Sequence, residues 1–201
     1  TPALAQADAT QRQAAAAPEE IIVTARKRDE SIMKTPVVIS AITAKQVANL
    51  KITTMEDLGS VTPGLAIRPA FAAVGATVFL RGLGNGDSAQ LIDQSVALNI
   101  DGITMGHGAF YRTGMFDIAQ VEVLKGPQAL FFGKNSPAGV VGLSSVNPGN
   151  TLEGYARAGY EFSASSPSFE GAVSIPLTGW LSVRFAGHYS HDNSGYIQNR
   201  A

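Results

Sequence analysis

The chain contains no cysteine, few charged side chains and no long apolar run, and each absence excludes a class of structure. Without cysteine, the 201 residues form no disulfide, no thiolate metal site and no cysteine nucleophile. Charged residues make up 15% of the chain, whereas about a quarter is typical of soluble domains. The 15 basic and 16 acidic side chains nearly cancel, to a net charge of −1. Because such a chain has no bulk attraction for polyanions, we predict no nucleic-acid partner.

No run of about 18 apolar residues occurs, so the sequence predicts no membrane-spanning helix. A membrane protein of this composition would have to cross the bilayer as a β-barrel, in which the backbone groups bond between strands. Glycine is abundant instead, at 21 residues, and indicates many turns.

The first 18 residues show no pattern of a buried strand or helix. Two overlapping patterns of small residues, Ala3-Leu4-Ala5 and Ala5-Gln6-Ala7, are of the kind that ends a secretory signal peptide. An alanine-rich tail explains them equally well. Residues 8–18 end at Pro18 and are predicted to be disordered. We assign residues 1–18 to an export-signal remnant and a disordered tether.

A short β-prone run, Glu19–Ala25, follows the tether. Such a run beside flexible sequence is suited to adding itself as an extra strand to the edge of a partner's sheet. Taken alone, the same heptapeptide would be an ordinary strand more often than a docking peptide.

The segment 120–141 predicts a strand, a Gly-Pro break, one short helix and a glycine-rich return. Pro127 stands where the first helical residue would be, and Gly133 stands where the helix would stop. Upstream, residues 36–42 predict a strand. Two capping boxes predict helices: Thr43 with Gln46 before a helix over 44–51, and Thr53 with Glu56 before a helix at about 55–59.

Two glycine-rich loops follow predicted strands. The strand over 77–82 leads into the loop Gly82–Asp87, and the alternating run 96–103 contains an Asp-Gly turn before the loop Met105–Thr113. The glycine spacing of the first loop and the sequence around Gly133 match neither the dinucleotide fingerprint nor a Walker loop. A nucleotide site is therefore not predicted.

From Leu152 onward the apolar residues recur with a period of two. Three runs each have one apolar and one polar or small-residue face; the apolar positions include Tyr160, Phe169 and Phe185, and the polar ones include Arg157, Glu170 and Arg184. Strands of this length and pattern suit a transmembrane barrel, and a soluble sandwich would show the same alternation. The turns are predicted as a tight one at Thr178-Gly179 and an open one at 163–168. Three strands are too few to close a barrel.

The run Val121-Glu122-Val123-Leu124-Lys125-Gly126-Pro127, with Phe132-Gly133 and Ala138-Gly139-Val140, resembles the signature segment of the plug domain of TonB-dependent outer-membrane receptors. The resemblance implies an α+β plug domain followed by the first antiparallel strands of a transmembrane β-barrel, which is incomplete in this chain. It divides the sequence into a TonB box at 19–26, a plug domain at 27–149 and the first barrel strands at 150–201.

The resemblance also implies roles for individual residues. TonB would bind the box residues Glu20, Ile21, Ile22, Val23, Thr24 and Ala25. Arg81, Glu122 and Lys125 would anchor the plug to the barrel wall, although Lys125 stands where arginine is usual and lacks its planar fork. Lys125 could equally be a solvated charge at a strand end. The candidate substrate contacts lie in the loops: Asn85, Asp87, Gln90, His107, Tyr111 and Arg112.

The implied protein is the N-terminal part of a receptor that imports a scarce nutrient through the bacterial outer membrane, with its box in the periplasm. Its partners would be TonB with the inner-membrane energising complex, outer-membrane lipid, the nutrient, and the rest of the barrel from the same gene or a second chain. The substrate would be a metal chelate, cobalamin or an oligosaccharide. A self-contained soluble periplasmic binding or adaptor domain is the alternative.

No catalytic constellation or cofactor is predicted. His188 and His191 are three residues apart, which places them on opposite faces of a strand and prevents joint metal binding. The aspartates and serines form no recognisable catalytic motif in the sequence. We therefore do not expect an enzyme.

Overall fold

The structure, a computed structural model, describes residues 21–24, 28, 30–70, 75–86, 94–105, 107–112, 114–162 and 165–191. In chain order its elements are β1 (Ile22–Val23), β2 (Glu30–Ser31), β3 (Val38–Thr43), α1 (Ala44–Asn49), α2 (Met55–Val61), β4 (Leu65–Pro69), β5 (Ala76–Leu80), β6 (Leu83–Gly84), β7 (Val96–Ile100), β8 (Ile103–Met105), β9 (Ile118–Lys125), α3 (Ala129–Phe132), β10 (Gly139–Ser145), β11 (Glu153–Glu161), β12 (Ser166–Thr178) and β13 (Leu181–Ser190). Short 3₁₀ helices lie at Ile32–Lys34 and Gly108–Arg112.

A five-stranded mixed sheet organises the N-terminal domain. Its order is β3-β9-β10-β7-β8, with β10 parallel to β7 and the other neighbours antiparallel. The β7–β8 hairpin turns at Asp101 and Gly102, whose φ angles of +48° and +87° suit a two-residue hairpin turn. The predicted Asp-Gly turn is therefore confirmed.

One face of this sheet carries the main hydrophobic core. Its β-branched and leucine side chains pack against α2, the β4–β5 hairpin and the 3₁₀ helix at Gly108–Arg112. Its completely buried members include Met55, Leu58, Val78, Leu80, Leu98 and Tyr111. The other face carries a smaller cluster, built from Ala97, Leu124, Phe132 and Val140, and Val23 of β1 completes it.

The starts of α1 and α2 are both capped, and the cap of α2 lies one residue later than predicted. Thr43 and Gln46 form the predicted capping box of α1, although the helix ends at Asn49 because Lys51 takes a left-handed φ of +51°. The cap of α2 is Thr54 with Asp57, so the predicted pair of Thr53 and Glu56 is wrong. The reason is that one Asp57 oxygen accepts the N–H groups of both threonines, at 3.0 and 2.9 Å.

The Asp57 cap should make the stability of the N-terminal domain sensitive to acid. Burial raises the pKa of Asp57, but its hydrogen bonds from Thr53 and Thr54 outweigh burial and the net pKa is lowered. The carboxylate therefore stabilises the fold fully above its unfolded pKa of about 3.9, and this contribution is lost as the pH falls through the lower folded pKa. We expect Asp57→Asn to cost about 1 kcal/mol at neutral pH.

Denaturant titrations at neutral pH and at acid pH check this expectation. The stability difference between wild type and Asp57→Asn should shrink at low pH, because the wild-type carboxylate is then protonated as well. Glu56→Gln is the matched control, since Asp57 and not Glu56 forms the cap. An equal effect of both substitutions, or a difference that grows in acid, would contradict the assignment.

The signature segment after β9 folds as a strand, a break and one short helix. The N-cap of α3 is Gln128 and its C-cap is Gly133, which has a φ of +84°. The predicted helix end is confirmed. Pro127 is not the first helical residue, because the N–H of Gln128 donates to the carbonyl of Ser136 at 3.0 Å and delays the helix to Ala129.

The C-terminal strands form a separate antiparallel sheet of order β11-β12-β13. Thr178 pairs with Leu181 across the predicted tight turn. The other turn is shorter than predicted, because β12 already begins at Ser166. The predicted apolar face is exposed, with Tyr160, Phe162, Phe169, Phe185 and Tyr189 on its surface. No helix within the described ranges is long and apolar enough to cross a membrane.

Candidate functional site

The N-terminal strand β1 lies against the domain without joining its main sheet. Among the residues that the structure describes, its one partner strand is β2, in the register Ile22 to Ser31 and Val23 to Glu30. Val23 is completely buried, whereas Ile22 is 46% exposed. The box residues Ile21 to Thr24 are thus docked on the fold, and the other two predicted contacts, Glu20 and Ala25, lie outside the described residues.

Glu122 holds this docked strand. Its side chain is 4% exposed in the middle of β9, and its two oxygens accept the N–H of Thr24 at 2.8 and 3.1 Å. The Thr24 hydroxyl donates to the same carboxylate at 3.1 Å. Glu122 was predicted to face a barrel wall, and the structure instead turns it towards the box. The reason is that Glu122 lies on the sheet face that β1 covers.

Gln120, two residues earlier on β9, acts beside Glu122. Its amide donates to the Ile22 carbonyl at 2.8 Å and to the Glu122 carboxylate at 3.1 Å. Gln120 was not predicted from the sequence. The available signal was its spacing of two from Glu122, which places both side chains on one face of a strand.

Arg81 and Lys125, the other two predicted anchors, both lie near the turn at residues 63–64. The Lys125 ammonium donates to the Pro63 carbonyl at 3.0 Å, and the Arg81 N–H donates to the Gly64 carbonyl at 2.7 Å. The Arg81 side chain is exposed. Their role as anchors stays a prediction.

The candidate substrate contacts other than Tyr111 divide into three groups. His107 and Arg112 are exposed on the loop surface. Asn85 is half-buried, and its side-chain oxygen accepts the N–H of Ser95 at 2.8 Å. Asp87 and Gln90 lie outside the described residues.

Tyr111 does not fit the prediction of a ligand contact. It is completely buried in the core, and its hydroxyl donates to the Val96 carbonyl at 3.1 Å. Burial raises its pKa well above the usual range, so the hydroxyl stays protonated and remains a donor. The 3₁₀ helix at Gly108–Arg112 turns Tyr111 inward while its neighbours face solvent.

The two sheets meet at a largely covered ion pair between Asp117 and Arg184. The guanidinium donates from Nε to Oδ2 at 2.7 Å and from Nη2 to Oδ1 at 2.5 Å, and the two side chains are only 9% and 10% exposed. Asp117 has a left-handed φ of +52° where the chain enters β9. This two-pronged geometry makes a strong and directional contact.

Further polar side chains of the C-terminal sheet extend this contact. Arg184 also donates to the buried Ser174 hydroxyl at 2.6 Å. The Tyr155 hydroxyl donates to Glu170 at 2.5 Å and lies 3.5 Å from Asp117. We call Asp117, Tyr155, Glu170, Ser174 and Arg184 the junction.

A cavity of about 830 Å³ opens beside the junction, between α1, residues 115–118 and the polar face of β11–β13. Phe116 and His188 stack at its side, with ring centroids 6.0 Å apart. Within the described part of the chain, no three histidine, aspartate or glutamate side chains come together as a metal site.

Comparison with known proteins agrees with this architecture. The model of the family described as TonB-dependent Receptor Plug Domain matches residues 31–140. The chain belongs to this family. Its N-terminal domain is the plug, and β11–β13 are its first barrel strands.

Several TonB-dependent receptors are similar to the chain over most of its length. The pesticin receptor of Yersinia pestis is 28% identical over 160 residues, which cover 79% of this chain and 23% of the receptor. The vitamin B12 transporter BtuB of Vibrio vulnificus is 24% identical over 143 residues, or 71% of this chain and 23% of the transporter. The chain thus spans about a quarter of the length of these relatives.

A solved structure supports the same relationship. The ferric yersiniabactin uptake receptor FyuA of Yersinia pestis matches with a TM-score of 0.66 and 26% identity, over 75% of this chain and 24% of the receptor chain. The junction is therefore a contact between plug and barrel. This contact was not predicted from the sequence, because 67 residues separate Asp117 from Arg184 and neither belongs to the signature segment.

Proposed function

We propose that the chain is the N-terminal part of an outer-membrane receptor that binds a scarce nutrient outside the cell and imports it into the periplasm, using energy delivered by TonB. Its membership in the plug-domain family supports this proposal. The proposed work is binding and movement, which needs no covalent chemistry and no cofactor.

The docking of β1 is the observation that carries this proposal. Within the described part of the chain, the strand pairs with the two residues of β2 and with no other strand, so its removal leaves all five strands of the main sheet bonded. A pull on the N-terminus would first act on this pairing, on the contacts of Thr24 and on the buried Val23. Residues 21–24 thus have the properties expected of a segment that a partner binds by strand addition and pulls away from the plug.

The outer face of β11–β13 supports a position in the outer membrane. Large apolar side chains stand exposed on that face, while the polar side chains of the junction face the plug. Lipid outside and a polar interior require this arrangement. In a soluble adaptor domain the same exposed face would be an aggregation hazard. We propose that the same gene or a second chain supplies the remaining strands.

The substrate class is proposed from the relatives and from the plug loops. Two of the relatives are named for vitamin B12 and for ferric yersiniabactin, which supports cobalamin or a metal chelate over an oligosaccharide. Asn85, His107 and Arg112 remain proposed contacts, together with Asp87 and Gln90. Tyr111 is no longer among them.

Replacing Ile22 with proline should abolish uptake and leave nutrient binding intact. Ile22 is half-exposed, and its backbone faces away from β2, so proline removes an N–H that an added strand would need while the bonds between β1 and β2 remain. Val23→Pro should also abolish uptake, with some loss of docking. Cells would be assayed for uptake of radiolabelled cobalamin and ferric siderophores, and isolated outer membranes for binding of the same compounds.

Ile22→Val is the matched control, because it keeps the backbone N–H and a β-branched side chain. It should transport like wild type. Unchanged uptake by the Ile22→Pro receptor would refute strand addition at the box.

A further inference from the structure

The hydrogen bonds of β1 show which edge of this strand faces away from β2. The Ile32 N–H donates to the Ile21 carbonyl at 3.0 Å, so residues 21 and 32 form a bonded pair of the antiparallel ladder. Backbone groups alternate in direction along a strand. Ile21 and Val23 therefore face β2, whereas Ile22 and Thr24 present their backbone groups on the opposite, outer edge.

Two side chains of β9 occupy this outer edge. The Gln120 amide donates to the Ile22 carbonyl at 2.8 Å, and the Glu122 carboxylate accepts the Thr24 N–H at 2.8 Å. A neighbouring strand would offer a donor and an acceptor to the same two backbone groups. The bond from Gln120 to Glu122, at 3.1 Å, holds the donor and the acceptor beside each other.

We propose that Gln120 and Glu122 form a clasp that imitates a neighbouring strand and thereby keeps the outer edge of the box closed to a real one. The partner excluded is an extended peptide strand, which needs the Ile22 carbonyl and the Thr24 N–H. This inference rests on the proposed function, in which TonB adds such a strand. The clasp sets how often the outer edge is open.

The burial of Glu122 gives the clasp its strength. A carboxylate that is only 4% exposed requires hydrogen-bond donors to remain ionised, and bonds to a charged acceptor are stronger than neutral ones. Three contacts from Thr24 supply such donors. A groove of about 440 Å³ borders Thr24 and Glu122, so water can reach the carboxylate once the strand leaves.

If Gln120 and Glu122 form the clasp, substituting either of them should free the box in the absence of nutrient. The full receptor in detergent would carry Ile22→Cys with a nitroxide label, and receptor without this cysteine would give the labelling background. Glu122→Gln keeps the size of the side chain and removes its charge, and Gln120→Ala removes the donor. Both should increase the mobile fraction of the label. Ser144→Ala, on the neighbouring strand opposite Gln120, is the control and should leave the label as in wild type.

The same variants should bind the C-terminal domain of TonB more tightly without nutrient. We expect about tenfold for Glu122→Gln and roughly threefold for Gln120→Ala, because a charge-assisted bond and a neutral bond are lost. If Glu122→Gln perturbs the plug, Gln120→Ala provides the test, since Gln120 is less buried. A variant is used for this comparison only if its plug unfolds at the same temperature as the wild-type plug.

The outcomes separate the clasp from the proposed function. A label that stays immobile in a folded clasp variant, or an unchanged TonB affinity where TonB binds wild type, overturns the clasp. A mobile label with no TonB binding to any receptor supports the clasp and refutes TonB as the partner. A mobile label with tighter binding supports both.

Discussion

Arg184→Met is expected to destabilise the contact between plug and barrel by about 3 to 5 kcal/mol, because it leaves the buried Asp117 carboxylate without its main partner. Both side chains of the pair are about nine-tenths covered, so the Asp117 carboxylate would lose both guanidinium donors at a site with little solvent contact. Methionine keeps the apolar stem of the side chain and removes only the guanidinium. The measurement is guanidinium-induced unfolding of the plug in the purified full receptor, compared with wild type.

Arg157→Met provides the matched control on the same face of the barrel strands. Arg157 pairs with Glu170 at 3.5 Å, and its side chain is 59% exposed, so its loss should cost less than about 1 kcal/mol. Asp117→Asn tests the charge alone, because asparagine tolerates the left-handed backbone of this position. The double variant Asp117→Asn, Arg184→Met should lose less stability than the sum of the losses in the two single variants, because both substitutions remove the same interaction. Equal effects of the two arginine substitutions would contradict the importance of the junction.

Tyr111→Ala is expected to cost about 3 to 5 kcal/mol of plug stability, since it empties a large and completely buried site in the core. Tyr111→Phe retains the ring and loses only the hydrogen bond to the Val96 carbonyl, so it should cost about 0.5 to 1.5 kcal/mol. The contrast separates packing from hydrogen bonding. Unfolding of the plug, measured as for Arg184, gives both values.

Phe110→Ala is the neighbouring control for Tyr111. Phe110 is exposed on the same 3₁₀ helix, and its truncation should change stability by about 0.5 kcal/mol or less. Binding of cobalamin and ferric siderophores distinguishes the core role of Tyr111 from the ligand contact predicted from the sequence. If the Tyr111→Phe receptor were stable but bound no nutrient, that result would support the original prediction that Tyr111 contacts the ligand.

Features set by a few neighbouring residues were predictable from the sequence. The capping box of Thr43 and Gln46, the Asp101-Gly102 turn and the helix end at Gly133 each depend on local backbone chemistry. The alternation after Leu152 is local as well, because successive side chains of a strand point to opposite faces. The Thr54 cap was missed by one residue, since adjacent threonines at 53 and 54 offer the same chemistry and the position of Asp57 decides between them.

Features that depend on partners distant in sequence were not predictable. Nothing near Glu122 in the sequence shows whether its face meets a barrel wall or β1, and Thr24 lies 98 residues away. In the sequence, Asp117 and Arg184 look like ordinary polar residues, and only the packing of the two sheets brings them together. Tyr111 stands in a loop-like sequence among exposed neighbours, and only the packing of its 3₁₀ helix against the core turns it inward.

The burial of Val23 favours the return of β1 to its docked position. Withdrawing β1 uncovers the apolar cluster around Leu124, Phe132 and Val140, and covering a valine side chain again is favourable by about 1.5 to 3 kcal/mol. Once the pulling force ends, this gain would favour the docked position of β1 over the withdrawn one by a factor of roughly ten to a hundred. In the proposed import mechanism, the plug would therefore return to its starting state by burying Val23 again, and energy would be needed only to withdraw β1.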